Sequence, residues 1–95
     1  MRLNTKLTTE RLLVTFNFTK VALTVATPVI QVFDQNNIEH PEMVYGTATV
    51  INNRVRQLIT GGQAGVTYRL VCTVNVPDTN EILVSRGSLL VQSTI

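Results

Sequence analysis

The chain predicts an all-β, two-layer antiparallel sandwich of seven or eight strands, and three observations carry that expectation. Val and Thr, which stiffen the backbone toward extended conformations, recur along the whole sequence. Turn-forming clusters separate apolar runs about every ten residues, the spacing of strands in a sandwich. From Tyr68 onward apolar residues occupy every second position, Tyr68, Leu70, Cys72, Val74 and Val76, with Arg69, Val71, Thr73 and Asn75 between them. A period of two turns one row of side chains to a core and the other away from it. No segment has a sustained period of 3.6 with caps, and a small closed barrel is the alternative architecture.

Residues 1–10 are polar and Thr-rich, and read as a flexible N-terminal arm that orders on docking or pairs at a sheet edge, ahead of one sandwich domain over 11–95. Leu12, Val14, Phe16 and Phe18 alternate with Leu13, Thr15 and Asn17 to give the first clear strand. Lys20 to Val25 alternates again, and Pro28 interrupts the chain so that a new strand starts after it. Val29 to Phe33 is a short strand that ends in the turn-forming Asp34-Gln35-Asn36-Asn37.

The stretch from Asp34 to Glu42 is the longest polar segment and reads as an exposed loop, with Pro41 biasing His40 toward extended backbone. Met43, Val44 and Tyr45 re-enter the apolar layer. Gly46–Ile51 and Arg54–Ile59 flank Asn52-Asn53, a two-residue hairpin turn, since asparagine tolerates positive φ. Pro77-Asp78-Thr79-Asn80 turns the chain into a last strand, Glu81 to Gln92. Its apolar residues fall on both parities, which predicts a bulge near Arg86-Gly87.

Gly61, Gly62 and Gly65 lead directly into the Tyr68 strand. Glycines ahead of a strand tyrosine resemble the corner of immunoglobulin-like sandwiches, where the phenol packs inward and its hydroxyl closes a backbone turn. The fold class is therefore an immunoglobulin-like β-sandwich.

Composition narrows the function classes. Ninety-five residues make one domain, 44% hydrophobic and only 15% charged, against roughly 25% charged in an ordinary domain. So small a sandwich cannot hide that much apolar side chain, so part of it is expected in contacts with other chains. The eight basic residues are scattered, the net charge is +2, and aromatic residues are 5% with no Trp. Nucleic-acid surfaces need clustered cations and stacking rings, which argues against that class. Arg54 and Arg56, on one face of one strand, are the nearest approach to a basic patch.

A single cysteine, Cys72, excludes an intrachain disulfide; on the apolar row it reads as a small buried hydrophobe, and its lack of a pair suits a reducing cytoplasm. No run of about 18 apolar residues is long enough to cross a membrane as a helix. The first residues carry no apolar core of a secretory signal.

The one cluster with chemical groups is Asp34, Glu39, His40 and Glu42, whose spacing matches no metal-ligand loop. A lone histidine beside a proline supplies no acid–base pair. Gly61-Gly62-Gln63-Ala64-Gly65 precedes a strand, whereas phosphate cradles precede a helix. No catalytic residues, cofactor-binding residues, metal ligands or small-molecule substrate are expected, and the chain is not expected to be an enzyme. Gln57 lies on the apolar parity between Val55 and Ile59, so its amide is expected to be part-buried and bonded to backbone.

The strings ERLLVTFNF, PEMVYG, VRQLITGGQAGVTYRLVCTVNV and ILVSRGSLLV, in that order, resemble a family of small immunoglobulin-like virion structural proteins of tailed bacteriophages. The likeness spans most of the chain, Glu10 to Val91, and is most specific at Val55, Gln57, Ile59, Gly61, Gly62, Gly65 and Tyr68. Pro77-Asp78-Thr79-Asn80 departs from the Thr-Ser-Asp-Gly turn of many members. The resemblance implies a capsid cement or decoration protein on the virion surface, assembled in the bacterial cytoplasm. Its partners would be the major capsid protein and copies of itself, as a trimer or lattice-bound oligomer.

Candidate partner contacts are Arg2, Leu3, Lys6 and Leu7 in the arm, able to add a strand to a neighbour's sheet, and Arg54 and Arg56. The competing implication is a tail, baseplate or head–tail joining module with a host-surface binding role. Phe33 and Tyr45 are its only candidate sugar platforms, and both are expected in the core.

Overall fold

The computed structural model describes residues 2–7, 10–19 and 24–93, and of residues 2–5 the backbone alone. Seven strands lie among them: β1 (Arg2–Leu7), β2 (Leu12–Asn17), β3 (Ala26–Phe33), β4 (Val44–Ile51), β5 (Arg54–Ile59), β6 (Thr67–Val76) and β7 (Glu81–Gln92). They form two sheets, one ordered β1-β7-β6-β3 and the other β2-β5-β4. The chain is a β-sandwich, with an immunoglobulin-like division of four strands against three.

The core lies between the sheets and follows the period of two. Val14, Phe16 and Phe18 reach it from β2 and its end, and Tyr68, Leu70, Cys72, Val74 and Val76 from β6; Val55 and Ile59 of β5, Leu89 and Val91 of β7, Val32 of β3, and Val25 and Met43 complete it. Burial of a side chain of this kind contributes about 1.5–3 kcal/mol. At the hairpin, Asn52 and Asn53 both have positive φ, 51° and 60°, the pairing that a two-residue turn with native strand twist requires.

Several expectations are corrected. β1 pairs in parallel with β7 of its own chain. Of the two readings of the N-terminal segment, the sheet edge is therefore the one that Arg2–Leu7 occupies, and one ladder departs from the all-antiparallel pattern. Pro28 does not start a strand but lies inside β3, where the register with β6 shifts between Ala26 and Val29. An edge strand with a bulge tolerates a residue that has no donor. The strand expected over Lys20 to Val25 falls mostly outside the described residues; Thr24 and Val25 precede β3 without joining it.

β7 has no bulge near Arg86-Gly87. Its pairing with β6 runs unbroken from Thr67↔Leu90 to Val76↔Glu81. The apparent change of phase comes from outward-facing Ile82 and Val84, which are 67% and 51% exposed. A larger irregularity lies in β4, where two extra residues separate Tyr45↔Leu58 from Thr49↔Arg56 and Gly46 takes φ 73°.

Candidate functional site

The glycine corner has the geometry its sequence implies. The buried Tyr68 ring brings its hydroxyl 2.9 Å from the Gln63 amide, which donates to it. A Cβ on Gly62 would lie 2.8 Å from Val91 Cγ2, so the chain passes there only because the side chain is a hydrogen. Behind the corner, Lys6 is fully buried, and its ammonium donates to the carbonyls of Leu7 and Gly61, both at 2.7 Å. Burial lowers its pKa, opposed by the nearby charge of Glu10.

Lys6 is thus corrected from a partner contact to an internal clamp that ties β1 to the corner. Nothing in its sequence neighbourhood signals this, because the corner carbonyl it binds, that of Gly61, is 55 residues away. Leu7 is partly exposed, while the side chains of Arg2 and Leu3 lie outside the described residues.

The polar loop is organised around its histidine. Asp34 Oδ1 accepts from the amides of Asn36 and Ile38 at 2.8 and 3.1 Å. Its other oxygen lies 2.7 Å from His40 Nε2, and Glu42 Oε1 lies 2.7 Å from His40 Nδ1. The hydrogen bond to Asp34 and then that to Glu42 raise the His40 pKa, and the hydrogen bonds to His40 lower those of Asp34 and Glu42. The imidazole stands edge-on to Tyr68, with ring centres 5.7 Å apart. Loop and corner thus meet on one ring and line a cavity of about 400 Å³ with Met43 and Thr60. Glu39 pairs through its backbone with Phe33, outside the His40 clamp. No group of three His, Cys, Asp or Glu among the described residues is arranged to hold a metal ion.

Cys72 is buried on the apolar row of β6, and burial pushes its thiol pKa up to about 12, the opposite of a nucleophile's activation. Gln57 is buried as expected, and its amide donates to the carbonyls of Tyr45, Leu58 and Gly46 at 2.8, 3.0 and 3.3 Å. Two of these acceptors, the carbonyls of Tyr45 and Gly46, stand where the β4 irregularity begins, so a core glutamine stabilises the displaced backbone.

Arg54 and Arg56 are exposed on the outer face of the three-stranded sheet. Arg56 lies in the row Thr15–Arg56–Thr49 and Arg54 in the row Asn17–Arg54–Ile51, while Leu13–Leu58–Tyr45 forms the third. The Arg11 guanidinium stands 3.7 Å over the Tyr45 ring. Tyr45, expected in the core, is therefore an outer-face residue, 45% exposed. Val44 points inward, so the alternation of a strand puts its neighbour outside. Phe33 is also outside the core cluster, on the outer face of the four-stranded sheet beneath Arg69. The two rings stand on different sheets and form no common platform.

Edges differ as faces do. β1, β3 and β4 each break register with their neighbour, whereas β2 keeps all six pairs with β5. Phe18 N donates to Asn53 O at 2.8 Å in the same ladder. By the alternation of an antiparallel pair, the backbone groups of Leu13, Thr15 and Asn17 then point away from β5. Bulges and prolines protect an edge against strand addition, and β2 has neither.

The chain matches no family model and no curated protein.

Proposed function

We propose that this chain is a noncatalytic assembly module, a phage virion structural protein of the cement type that bridges major capsid protein subunits. One observation carries the assembly part: the regular, uncharged edge of β2 adjoins an outer face that combines Leu13, Leu58, Tyr45 and Ile51 with Arg11, Arg54 and Arg56. Arg and Tyr are the residues that most often anchor protein interfaces, and an open edge offers a partner strand its main-chain bonds. Three guanidinium groups suit an acidic surface on the partner. Many weak copies on a symmetric lattice would gain strength by multivalency. The assignment to a virion and capsid rests on the sequence resemblance.

β1 completes its own sheet against β7, so exchange of that strand with a neighbour would be a swap rather than the ordering of a free arm. A placement in a tail, baseplate or head–tail junction is the second reading. The separation of Phe33 and Tyr45 onto different sheets weighs against a sugar-binding version of it.

Mass-spectrometric stoichiometry of purified particles tests the reading. Hundreds of copies relative to the major capsid protein support the head lattice, and about six or twelve move the protein to a ring at the junction or tail, an estimate from the symmetry of such assemblies. Arg54→Glu with Arg56→Glu should abolish attachment to particles while leaving the monomer folded. Undiminished attachment would remove this face from the interface.

A further inference from the structure

We propose that Asp34, His40 and Glu42 form a pH-read latch over the glycine corner, closed while His40 is an imidazolium ion and released on its Glu42 side as pH rises. The geometry requires the charged ring. Both nitrogens lie 2.7 Å from carboxylate oxygens, and a carboxylate only accepts, so each nitrogen must carry a hydrogen. A neutral imidazole would point one lone pair at an oxygen at that distance, and one contact must open.

The two sides are unequal. The Asp34 side chain is 17% exposed and is also fixed by the Asn36 and Ile38 amides, whereas the Glu42 side chain is 67% exposed. Glu42 is therefore the side that lets go. It belongs to the short 3-10 turn Pro41–Met43. The carbonyl of Met43 accepts from the Thr60 amide at 2.9 Å, and its methyl group lies against Gly62. Release at Glu42 thus reaches the corner by two routes, through Met43 and through the Tyr68 ring on which His40 stands. The cavity between loop and corner is walled by these same groups and widens when they part.

The other charged or titratable groups around the latch among the described residues are these. Glu39 neighbours His40 in the chain. From β6 come the Tyr68 phenol and Arg69, which donates to Asn37 at 3.1 Å. Behind the corner, Lys6 holds the Gly61 carbonyl. The sign follows from the shifts. A raised His40 pKa stabilises the closed form below 6.5, and that contribution is lost as pH climbs through the raised value. The depressed Asp34 and Glu42 values stabilise it above 3.8 and 4.5, lost as pH falls through the lowered values.

His40 is the only histidine of the chain, so the full-length protein has a single imidazole spin system, whose Cε1 proton is followed without overlap from other histidines. A titration from about pH 4 to 9, spanning the ordinary carboxyl and imidazole values, should place its midpoint above 6.5. The amides of Met43 and Gln63 should shift with that midpoint, and exchange at Gln63 should quicken on the alkaline side. Glu42→Gln should lower the midpoint and flatten the response of Met43 and Gln63, while Asn36 and Ile38 still titrate. A midpoint at or below 6.5, Met43 and Gln63 signals that ignore it, or a Glu42→Gln protein that titrates like the parent would each overturn the latch.

Discussion

Replacing Gly62 by alanine separates backbone strain from crowding at the corner. Gly61, Gly62 and Gly65 all have positive φ, at 69°, 98° and 82°. A Cβ at Gly61 or Gly65 meets nothing within 4 Å; at Gly62 it would lie 2.8 Å from Val91 Cγ2, 3.1 Å from Met43 Cε and 3.4 Å from Tyr68 Cε2. Holding an L-residue left-handed costs roughly 1–2 kcal/mol, offset by about 0.5–1 kcal/mol because glycine loses more backbone entropy on folding. Gly61→Ala and Gly65→Ala should therefore each destabilise by about 0–1.5 kcal/mol on those terms.

Gly62→Ala adds overpacking of about 1–3 kcal/mol, for a total of about 1–4.5 kcal/mol. Urea unfolding at equilibrium measures all three variants on one scale. In a domain of this size the difference amounts to a melting temperature lower by about 4–8 °C per kcal/mol. A cycle with Val91→Ala isolates the crowding, since removing Val91 Cγ2 should recover about 1 kcal/mol or more of the Gly62→Ala penalty. Equal costs at the three glycines, or strict additivity with Val91→Ala, would refute the close approach of corner and β7.

Tyr68→Phe removes the acceptor of the Gln63 amide and should cost about 1–2 kcal/mol in urea unfolding, with faster hydrogen exchange at Gln63. Gln57→Leu leaves the carbonyls of Tyr45, Gly46 and Leu58 without their shared donor, a loss of about 1–3 kcal/mol by the same measurement. Thr27 takes φ 52° at the β3 bulge, so Thr27→Gly should stabilise by about 0.5–1 kcal/mol, contrary to the usual effect of glycine in a strand. The Cys72 thiol, buried and with its pKa pushed up to about 12, should react with a thiol reagent only through unfolding, so the rate should rise with urea in step with the unfolded fraction.

The candidate interface was partly legible. Arg54 and Arg56 share a face because they are two residues apart on one strand, a strictly local relation. That no second strand among the described residues pairs with β2 was not, since an edge is defined by which strands fail to pair with it. Tyr45 was misplaced because the apolar triplet Met43-Val44-Tyr45 hides which residue turns outward, and the irregularity after it resets the register. His40 looked like part of a solvated polar loop. Its two carboxylates, six and two residues away, converge on it only because the Asp34 turn and the 3-10 turn bend the chain back.

Alternation within a strand is written into consecutive residues, so the buried row of β6, the Asn52-Asn53 turn and the tyrosine corner could be read directly. Pairing between distant strands leaves no such mark. That β1 lies parallel to β7, that Pro28 fits inside β3, and that a lysine is sealed beneath the corner were decided by tertiary structure. Each depends on a partner far along the chain, and backbone hydrogen bonding is the same for every residue type except proline. The sequence therefore determined which side chains a strand turns inward, and only the assembled sheets determined what they meet.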